Sequence, residues 1–378
     1  MPDIMDICEQ SPAYVRAIAP YQPGKPITEL ARELGLDERK IVKLASNENP
    51  RGISPKALAA VKAALPELGR YPDGFELTQA LSQRLGVTMQ QIVLGNGSND
   101  VLELAGMAFL APGRSAVYSQ HAFAVYPLAT QARGAHSIVV PAKNYGHDLE
   151  AMLAAIRPDT RVVFIANPNN PTGTMLTAAE LESFLVRAPK NVLVVVDEAY
   201  NEYLDPELRC PSVAWVGRFP NLIVTRTFSK VYGLAGLRVG YAVCQAQVAD
   251  LLNRVRQPFN VNNLAIVAAV AALTDDDFLR QSYELNVAGM AQLLAGCKRL
   301  GVAWIPSYGN FLTVEIPRGR GENAGKSQAS AVFQKLLKLG VIVRPLAGYD
   351  MPDHLRVTIG LAEENARFLE ALQAVLKG

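Results

Sequence analysis

The chain has 378 residues, enough for about two domains at roughly 150 residues each, so we expect one large domain and a smaller one. Hydrophobic residues make up 49% and charged residues 19% of the chain, and this much apolar surface excludes a disordered protein. The 37 basic and 35 acidic residues leave a formal charge of +2. That charge supplies no broad positive field, so we expect no nucleic-acid partner.

The chain shows no pattern typical of export, membrane insertion or metal binding. No apolar run reaches the roughly 18 residues that a membrane span needs, and the first residues do not resemble a secretory signal. The four cysteines include no Cys-x-x-Cys pair, and the four histidines lack metal-ligand spacing. We therefore predict a cytoplasmic protein with reduced thiols, no bound metal and no membrane partner.

The chain up to about residue 262 predicts an α/β fold that follows an irregular arm. Pro12, Pro20, Pro23 and Pro26 keep the first 45 residues irregular, apart from a helix that has Thr28 as its N-cap and ends before Gly35. Strands are predicted at 92–94, 116–118, 137–140, 161–166, 192–196, 222–225 and 238–243. Helical patterns alternate with them, one beginning near Val101 and another at 126–132. This alternation is typical of a mainly parallel sheet covered by helices on both faces.

Beyond about residue 262 the pattern changes to long helices and few strands. Helices are predicted at 265–273, 277–300, 329–339 and 363–376, and strands at 303–305, 311–315, 341–343 and 355–359. The segment 317–327 is rich in glycine and charge, which indicates an exposed loop. We predict a smaller α+β domain here, of roughly 110 residues.

Four polar segments follow predicted strands, and ligands bind at that edge of open α/β sheets. They are residues 95–99, 167–173, 197–200 and 227–230. The first is a glycine-rich turn before a helix, which is suited to an anion because backbone N–H groups face it. Asp100 stands where a dinucleotide fingerprint needs a third glycine, so that motif is absent. A purely structural turn, with Ser98 or Asn99 as the N-cap, explains the pattern equally well.

Two residues of the later segments suggest buried charge. Asp197 follows five aliphatic residues, so its carboxylate needs a partner, either as a helix cap or against a cationic ring nitrogen. Lys230 follows two hydroxyl residues at the end of a strand. Most lysines are solvated, but burial there would lower the pKa of the amine and make it a nucleophile or base. Arg238 adds a permanent cation suited to a phosphate.

Together these motifs resemble a known family. Asn170-Pro171-Thr172-Gly173, Asp197-x-x-Tyr200 and Ser229-Lys230 with Arg238 resemble the signature of fold-type I pyridoxal-phosphate aminotransferases. The segments 19–26, 44–50, 70–73 and 355–360 narrow the resemblance to the histidinol-phosphate aminotransferases, over nearly the whole chain. The resemblance implies a large domain at 46–262 with a mainly parallel seven-stranded sheet and a small domain at 263–378. It also implies that an arm, 1–45, joins the small domain and a dimer contact.

The resemblance also implies roles for the site residues, with pyridoxal 5'-phosphate as the cofactor. Lys230 would hold the cofactor covalently and later, as a free amine, move a proton. Asp197 would pair with the ring nitrogen, Tyr200 and Asn170 would hydrogen-bond the ring oxygen, and Phe123 would stack on the ring. The cofactor phosphate would contact Ser98, Asn99, Thr227, Ser229, Arg238 and, from the other subunit of a homodimer, Tyr71.

Two details of the resemblance concern the loops. The peptide bond before Pro171 is expected to be cis, as X–Pro bonds allow. Asn99 departs from the acidic residues that the family commonly shows after Ser98, which is tolerable if the phosphate contacts are backbone N–H groups.

Substrate recognition is assigned to four residues by the resemblance. Arg356 matches the position that binds a substrate carboxylate in the wider class, and with Arg344 it would take the phosphate of histidinol phosphate. Tyr21 and Asn262 would line the same pocket, and Asn260 is a further candidate. The alternative for both arginines is a solvated cation on a strand.

The implied activity is transamination between L-histidinol phosphate and 2-oxoglutarate, in histidine biosynthesis. Two alternatives keep the cofactor and change the substrate: aromatic amino acids, or decarboxylation of a phosphorylated amino acid. A non-enzymatic cofactor sensor or nucleotide-binding module would need an appended DNA-binding or partner segment, and no basic or heptad stretch is present.

Overall fold

The computed structural model describes residues 7–20, 24–319 and 325–377. The α-helices are α1 Ala13–Arg16, α2 Ile27–Leu34, α3 Pro55–Ala64, α4 Phe75–Leu85, α5 Ser98–Phe109, α6 Val125–Gln131, α7 Leu149–Ala154, α8 Ala178–Arg187, α9 Ser212–Trp215, α10 Ala246–Val255, α11 Asn263–Ala272, α12 Asp276–Leu300, α13 Ala329–Lys338 and α14 Ala362–Lys377. The strands are β1 Val42–Lys43, β2 Ile92–Gly95, β3 Ser115–Ser119, β4 His136–Val140, β5 Thr160–Ala166, β6 Leu193–Asp197, β7 Leu222–Thr227, β8 Gly240–Cys244, β9 Ala303–Ile305, β10 Phe311–Glu315, β11 Val341–Ile342, β12 Arg344–Pro345 and β13 His354–Thr358. None of the described helices combines the length and apolar character needed to cross a membrane.

The large sheet has seven strands in the order β2-β8-β7-β6-β5-β3-β4. Strands β3 to β7 pair in parallel, while β8 is antiparallel to both of its neighbours. The predicted mainly parallel seven-stranded α/β sheet is therefore confirmed. Because the parallel strands end at one edge, the loops that follow β5, β6 and β7 meet there.

The two central strands show why the sheet needs continuous apolar runs. Along β5, Val163 and Ile165 belong to the hydrophobic cluster on one face, while Val162 and Phe164 belong to the cluster on the other. Successive side chains of a strand point to opposite faces, so a sheet covered on both sides needs an apolar residue at every position. Helices on both faces complete these two layers.

The C-terminal part of the chain forms a smaller antiparallel sheet in the order β12-β13-β10-β9. Its core contains side chains from α12, α13 and α14. Val42 of β1 pairs with Val341 of β11, which ties the N-terminal part of the chain to this layer. Helix α11 instead contributes Ala265 and Ala269 to the core on the large sheet. The domain limits near 45 and 262 stay predictions.

Several predicted element ends are wrong, including three helix or strand starts. Helix α2 ends at Gly35 as predicted, but its N-cap is Pro26 rather than Thr28; proline has no backbone N–H that would need a partner at a helix start. Helix α5 begins at Ser98 instead of near Val101, with Gly97 as the N-cap, so neither Ser98 nor Asn99 is the cap. Strand β8 begins at Gly240 because Arg238 has a left-handed backbone, with φ of 60°.

Candidate active site

A cavity of about 320 Å³ lies beyond the ends of β2, β5, β6 and β7. Residues from all four polar segments that the sequence singled out line it. The predicted site residues that it brings together are Ser98, Asn99, Phe123, Asn170, Asp197, Tyr200, Thr227, Ser229, Lys230 and Arg238. The separate motifs of the sequence thus form one site.

The amine of Lys230 lies inside this cavity, just after β7. Its Nζ donates a hydrogen bond to the carbonyl of Ser46 at 3.2 Å and lies 5.8 Å from the centre of the Tyr200 ring. Burial, and after it the positive charge of Arg356, lowers the pKa of the Lys230 amine to about 8. A larger fraction of this amine is therefore uncharged near neutral pH than in a solvated lysine, which is what a nucleophile or base requires.

The carboxylate of Asp197 is held at the end of β6 by two hydroxyl groups. Tyr126 donates to Oδ2 at 3.0 Å and Thr225 donates to Oδ1 at 3.0 Å. Burial raises the pKa of the Asp197 carboxyl to about 6, although both hydrogen bonds act in the opposite direction. A cation placed in the cavity beside Asp197 would therefore be bound strongly, because it would relieve the cost of a buried carboxylate.

The sequence did not predict the two hydroxyl donors. Thr225 lies two residues before Thr227 on β7, so strand periodicity was the signal that places both on one face. Tyr126 is fully buried and stacks on Phe164, with ring centres 4.8 Å apart. Its bond to Asp197 joins positions that lie 71 residues apart, and no local pattern indicates it.

Tyr200 and Arg356 are held by a segment that precedes the large sheet. Asn47 donates from Nδ2 to the Tyr200 hydroxyl at 2.9 Å, and burial raises the pKa of Tyr200 to about 12. Arg356 donates to Oδ1 of Asn170 and to the carbonyl of Ala45. Arg356 is only 6% exposed, so the alternative of a solvated surface cation is wrong for it.

An anion-binding cradle lies at the start of α5. Arg238 donates from Nη1 to the Ser229 hydroxyl at 3.2 Å and to the carbonyl of Ala235 at 2.9 Å. Gly97 has φ of 85°, and a Cβ there would lie 2.5 Å from Nη2 of Arg238. The guanidinium therefore packs directly on the backbone at the helix start, where N–H groups and the helix dipole also favour an anion.

The comparisons with known proteins decide the family. The model of the class I and II aminotransferases matches residues 39–372. The chain belongs to this family. It is 60% identical over 375 residues to histidinol-phosphate aminotransferase 2 of Nitrosospira multiformis, covering 99% of this chain and 93% of that protein. It is 63% identical over 372 residues to histidinol-phosphate aminotransferase 1 of Dechloromonas aromatica, covering 98% and 100%.

A solved structure agrees with these relatives. The structure of histidinol-phosphate aminotransferase from Sinorhizobium meliloti, in complex with pyridoxal-5'-phosphate, superposes with a TM-score of 0.87. It is 27% identical to this chain, and the superposition covers 97% of both chains. The resemblance found in the sequence is therefore confirmed.

Several predicted residues of this aminotransferase lie away from the cavity. Asn262 caps α11 through a bond from the Ala265 amide and is exposed. Asn260 donates to Asp100 at 2.7 Å instead of facing the cavity. Arg344 is half-buried on β12, where it is the cross-strand partner of Arg356. The structure therefore places neither asparagine in the cavity lining, because both amides are used in structural bonds.

Three further predictions concern residues at the edge of the described site. Tyr71 is 81% exposed and stacks on Phe259, with ring centres 4.5 Å apart, so it does not reach the cavity of its own chain. Tyr21 lies outside the described residues. The bond before Pro171 is cis as expected, and the bond before Pro168 is cis as well.

Proposed function

We propose that the protein is a pyridoxal-phosphate-dependent aminotransferase of histidine biosynthesis. It moves the amino group of L-histidinol phosphate to 2-oxoglutarate and so forms imidazole acetol phosphate and glutamate. The observation that carries the proposal is the amine of Lys230 in one cavity with Asp197. The chain around that cavity is at least 60% identical to histidinol-phosphate aminotransferases.

The residues of the cavity fit pyridoxal phosphate. The cradle formed by Arg238, Ser229 and the start of α5 suits a phosphate. Asp197 suits a cationic ring nitrogen, and the half-buried ring of Phe123 lines the cavity where an aromatic cofactor could stack. When bound, pyridoxal phosphate supplies an aldehyde that condenses with amines and a ring that accepts the electron pair of a deprotonated carbon.

Lys230 serves as both nucleophile and base in this proposal. Its lowered pKa makes the neutral amine available for covalent attachment of the cofactor. As a free amine, Nζ would accept the proton from the amino-bearing carbon of the substrate. The nearby Arg356 favours the uncharged amine because two adjacent cations repel.

The other polar residues of the cavity would hold and orient the cofactor. Asp197 would pair with the cationic ring nitrogen, and Tyr126 and Thr225 fix the direction of its carboxylate. Tyr200 and Asn170 face the same cavity and would hydrogen-bond the phenolic oxygen of the ring. Fixed donors and acceptors of this kind stabilise developing charge without having to reorganise during the reaction.

Arg356 is the proposed anchor for the anionic group of each substrate. Its bond to Asn170 places a buried guanidinium beside the cavity. Arg binds both phosphate and carboxylate through paired N–H groups, which suits an enzyme whose two substrates carry different anions. Arg344, its cross-strand neighbour, and Tyr21 would assist with the phosphate.

We further propose that the enzyme acts as a homodimer in the cytoplasm. The exposed pair of Tyr71 and Phe259 supports a protein contact there, since large aromatic rings are enriched at interfaces. In such a dimer Tyr71 would reach the cofactor phosphate of the other subunit.

The test is a turnover assay of the purified protein with pyridoxal phosphate. We expect glutamate to form from histidinol phosphate and 2-oxoglutarate, with kcat/KM at least about 100-fold above that for phenylalanine as amino donor. Release of carbon dioxide from a phosphorylated amino acid would favour the decarboxylase instead. Borohydride reduction should fix the cofactor on the peptide that contains Lys230, and a Lys230→Ala protein with normal turnover would end the proposal.

A further inference from the structure

Residues 45–49, here called the anchored segment, are held in place by buried asparagines. The backbone N–H of Asn47 donates to the Thr358 hydroxyl, which donates in turn to Oδ1 of Asn47, and Nδ2 of Asn47 donates to the Tyr200 hydroxyl. Asn49 donates from Nδ2 to the hydroxyl of Ser282 at 2.9 Å. Both asparagines are buried, at 1% and 8% exposure. The backbone between them therefore has a fixed position.

Glu48 lies between the two asparagines and lines the cavity. Its own side chain is 48% exposed, and it forms an ion pair with Lys43 at 3.5 Å that is partly open to water. Among the described residues that line the cavity, Asp197 is the other carboxylate, and two hydroxyl groups already hold it. Glu48 is thus the lining carboxylate that a substrate can reach.

We propose that Glu48 determines substrate specificity by accepting a hydrogen bond from the imidazole N–H of the amino substrate. The inference rests on the proposed function. Histidinol phosphate has three parts to place: an amine at Lys230, a phosphate at Arg356 and an imidazole. The carbonyls of the anchored segment contact both cations, since Ser46 accepts from Lys230 and Ala45 accepts from Arg356. Glu48 continues the same wall and offers the imidazole an anionic acceptor.

The charge of Glu48 affects the two substrates in opposite ways. A carboxylate strengthens a hydrogen bond from an imidazole and stabilises the imidazolium form. The distal carboxylate of 2-oxoglutarate carries the same sign as Glu48 and is repelled by it. Lys43 offsets part of this repulsion because it lies beside the Glu48 carboxylate. Glu48 thus strengthens binding of the imidazole substrate and weakens binding of 2-oxoglutarate.

The test compares the wild-type holoenzyme with Glu48→Gln, which keeps the shape and removes the charge. Two amino donors are used: L-histidinol phosphate, and L-alaninol phosphate, which has the same amine and phosphate but no imidazole. Stopped-flow spectra of the half-reaction without oxo acid give the Kd and the rate constant separately. The preference is the Kd for alaninol phosphate divided by the Kd for histidinol phosphate. It should fall about ten-fold in Glu48→Gln, the usual effect of losing one charge-assisted hydrogen bond at a partly exposed site.

Three comparisons complete the test. Glu363→Gln removes an exposed carboxylate from α14 and should keep the wild-type preference. Glu48→Asp keeps the charge on a shorter side chain and should give an intermediate preference; it also covers the case in which Glu48→Gln folds poorly. The Kd for 2-oxoglutarate should fall in Glu48→Gln. A preference that stays within about two-fold of wild type in both Glu48 variants overturns this inference alone, whereas a wild-type enzyme that converts neither donor overturns the proposed function.

Discussion

The pKa values of Lys230 and Asp197 are shifted in the directions that favour the uncharged side chains. Burial lowers the pKa of the lysine to about 8 and raises that of the aspartate to about 6. In both cases the protein bears the cost of removing a charged form from water. A ligand that reacts with the amine and offers a cation to the carboxylate removes both costs, which couples its binding to the chemistry.

The lowered pKa of Lys230 can be measured in the cofactor-free protein. Acetylation of its amine, followed by peptide mass spectrometry across pH, should show a midpoint near 8, because the amine reacts only when neutral. Nα-acetyl-lysine amide, whose side-chain amine is free and has a pKa of about 10.4, serves as the reference in the same tube. Arg356→Gln should move the midpoint upward, since the guanidinium charge is the second cause of the shift. A midpoint above 10 for Lys230 would contradict the burial of this amine.

The raised pKa of Asp197 predicts that this residue lowers the stability of the cofactor-free protein while it supports turnover. The folded-state pKa of about 6 lies above the ordinary 3.8, so the cofactor-free protein loses stability as pH rises from about 4 through 6. Asp197→Asn should remove this loss and be more stable at pH 8, by up to about 3 kcal/mol. Its kcat should fall by about 100-fold or more, because an amide does not hold the ring nitrogen in its cationic form.

Denaturant unfolding at several pH values measures the free energies for this comparison. Asp350→Asn, at an exposed carboxyl, is the matched control and should follow the wild-type curve. An Asp197→Asn protein that keeps both the wild-type pH dependence and the wild-type kcat would show that Asp197 is not a buried carboxylate of this kind.

At the scale of elements, the start of α5 depends on the close contact between Gly97 and Arg238. A methyl group on Gly97 would lie 2.5 Å from the guanidinium, and its φ of 85° is unfavourable for alanine. Gly97→Ala should therefore displace Arg238 and raise the Kd for pyridoxal phosphate at least about ten-fold, as expected when a charge-assisted contact is lost.

Fluorescence titration of the cofactor-free protein gives that Kd. Gly236→Ala is the control because Gly236 lies two residues before Arg238 and has open space at its Cβ position. It should bind the cofactor like the wild type. Equal affinity in the two variants would show that the cradle does not depend on this contact.

The elements themselves were predictable where their pattern is local. The run 161–166 became β5, which begins one residue earlier, and the run 192–196 became β6, shifted by one residue. The order of the strands was not predictable, since β8 lies between β2 and β7 and reverses direction there. Such pairing depends on how distant segments pack, which no short window of sequence contains.

For the whole molecule, the proposed role of Tyr71 at the cofactor of the other subunit predicts a site shared between two subunits. Tyr71→Phe and Lys230→Ala proteins, mixed and allowed to exchange subunits, should form hybrid dimers with one intact site and one doubly altered site. Turnover should therefore rise on mixing above the sum of the separate proteins. If Tyr71 acts in its own chain, hybrids contain no intact site and turnover stays at that sum.

The candidate site was predictable to the extent that its residues follow strands. Lys230 and Asp197 could be found because polar side chains directly after apolar runs are visible in the sequence. Tyr126 and Asn47 could not be assigned roles, because their importance lies in single bonds to distant residues. Asn262 was assigned a pocket role by resemblance, but it caps a helix, a use that its position before α11 also explains.

The bond between Asn47 and Thr358 joins residues 311 positions apart. Ribosomes add about 5–20 residues per second, so about 15–60 s separate the synthesis of these two partners. Throughout that interval the nascent polypeptide lacks the support that Thr358 gives to Asn47, and through it to Tyr200. We therefore expect pyridoxal phosphate to bind at full affinity only after β13, which contains Thr358, has been synthesised and has folded onto residues 45–49.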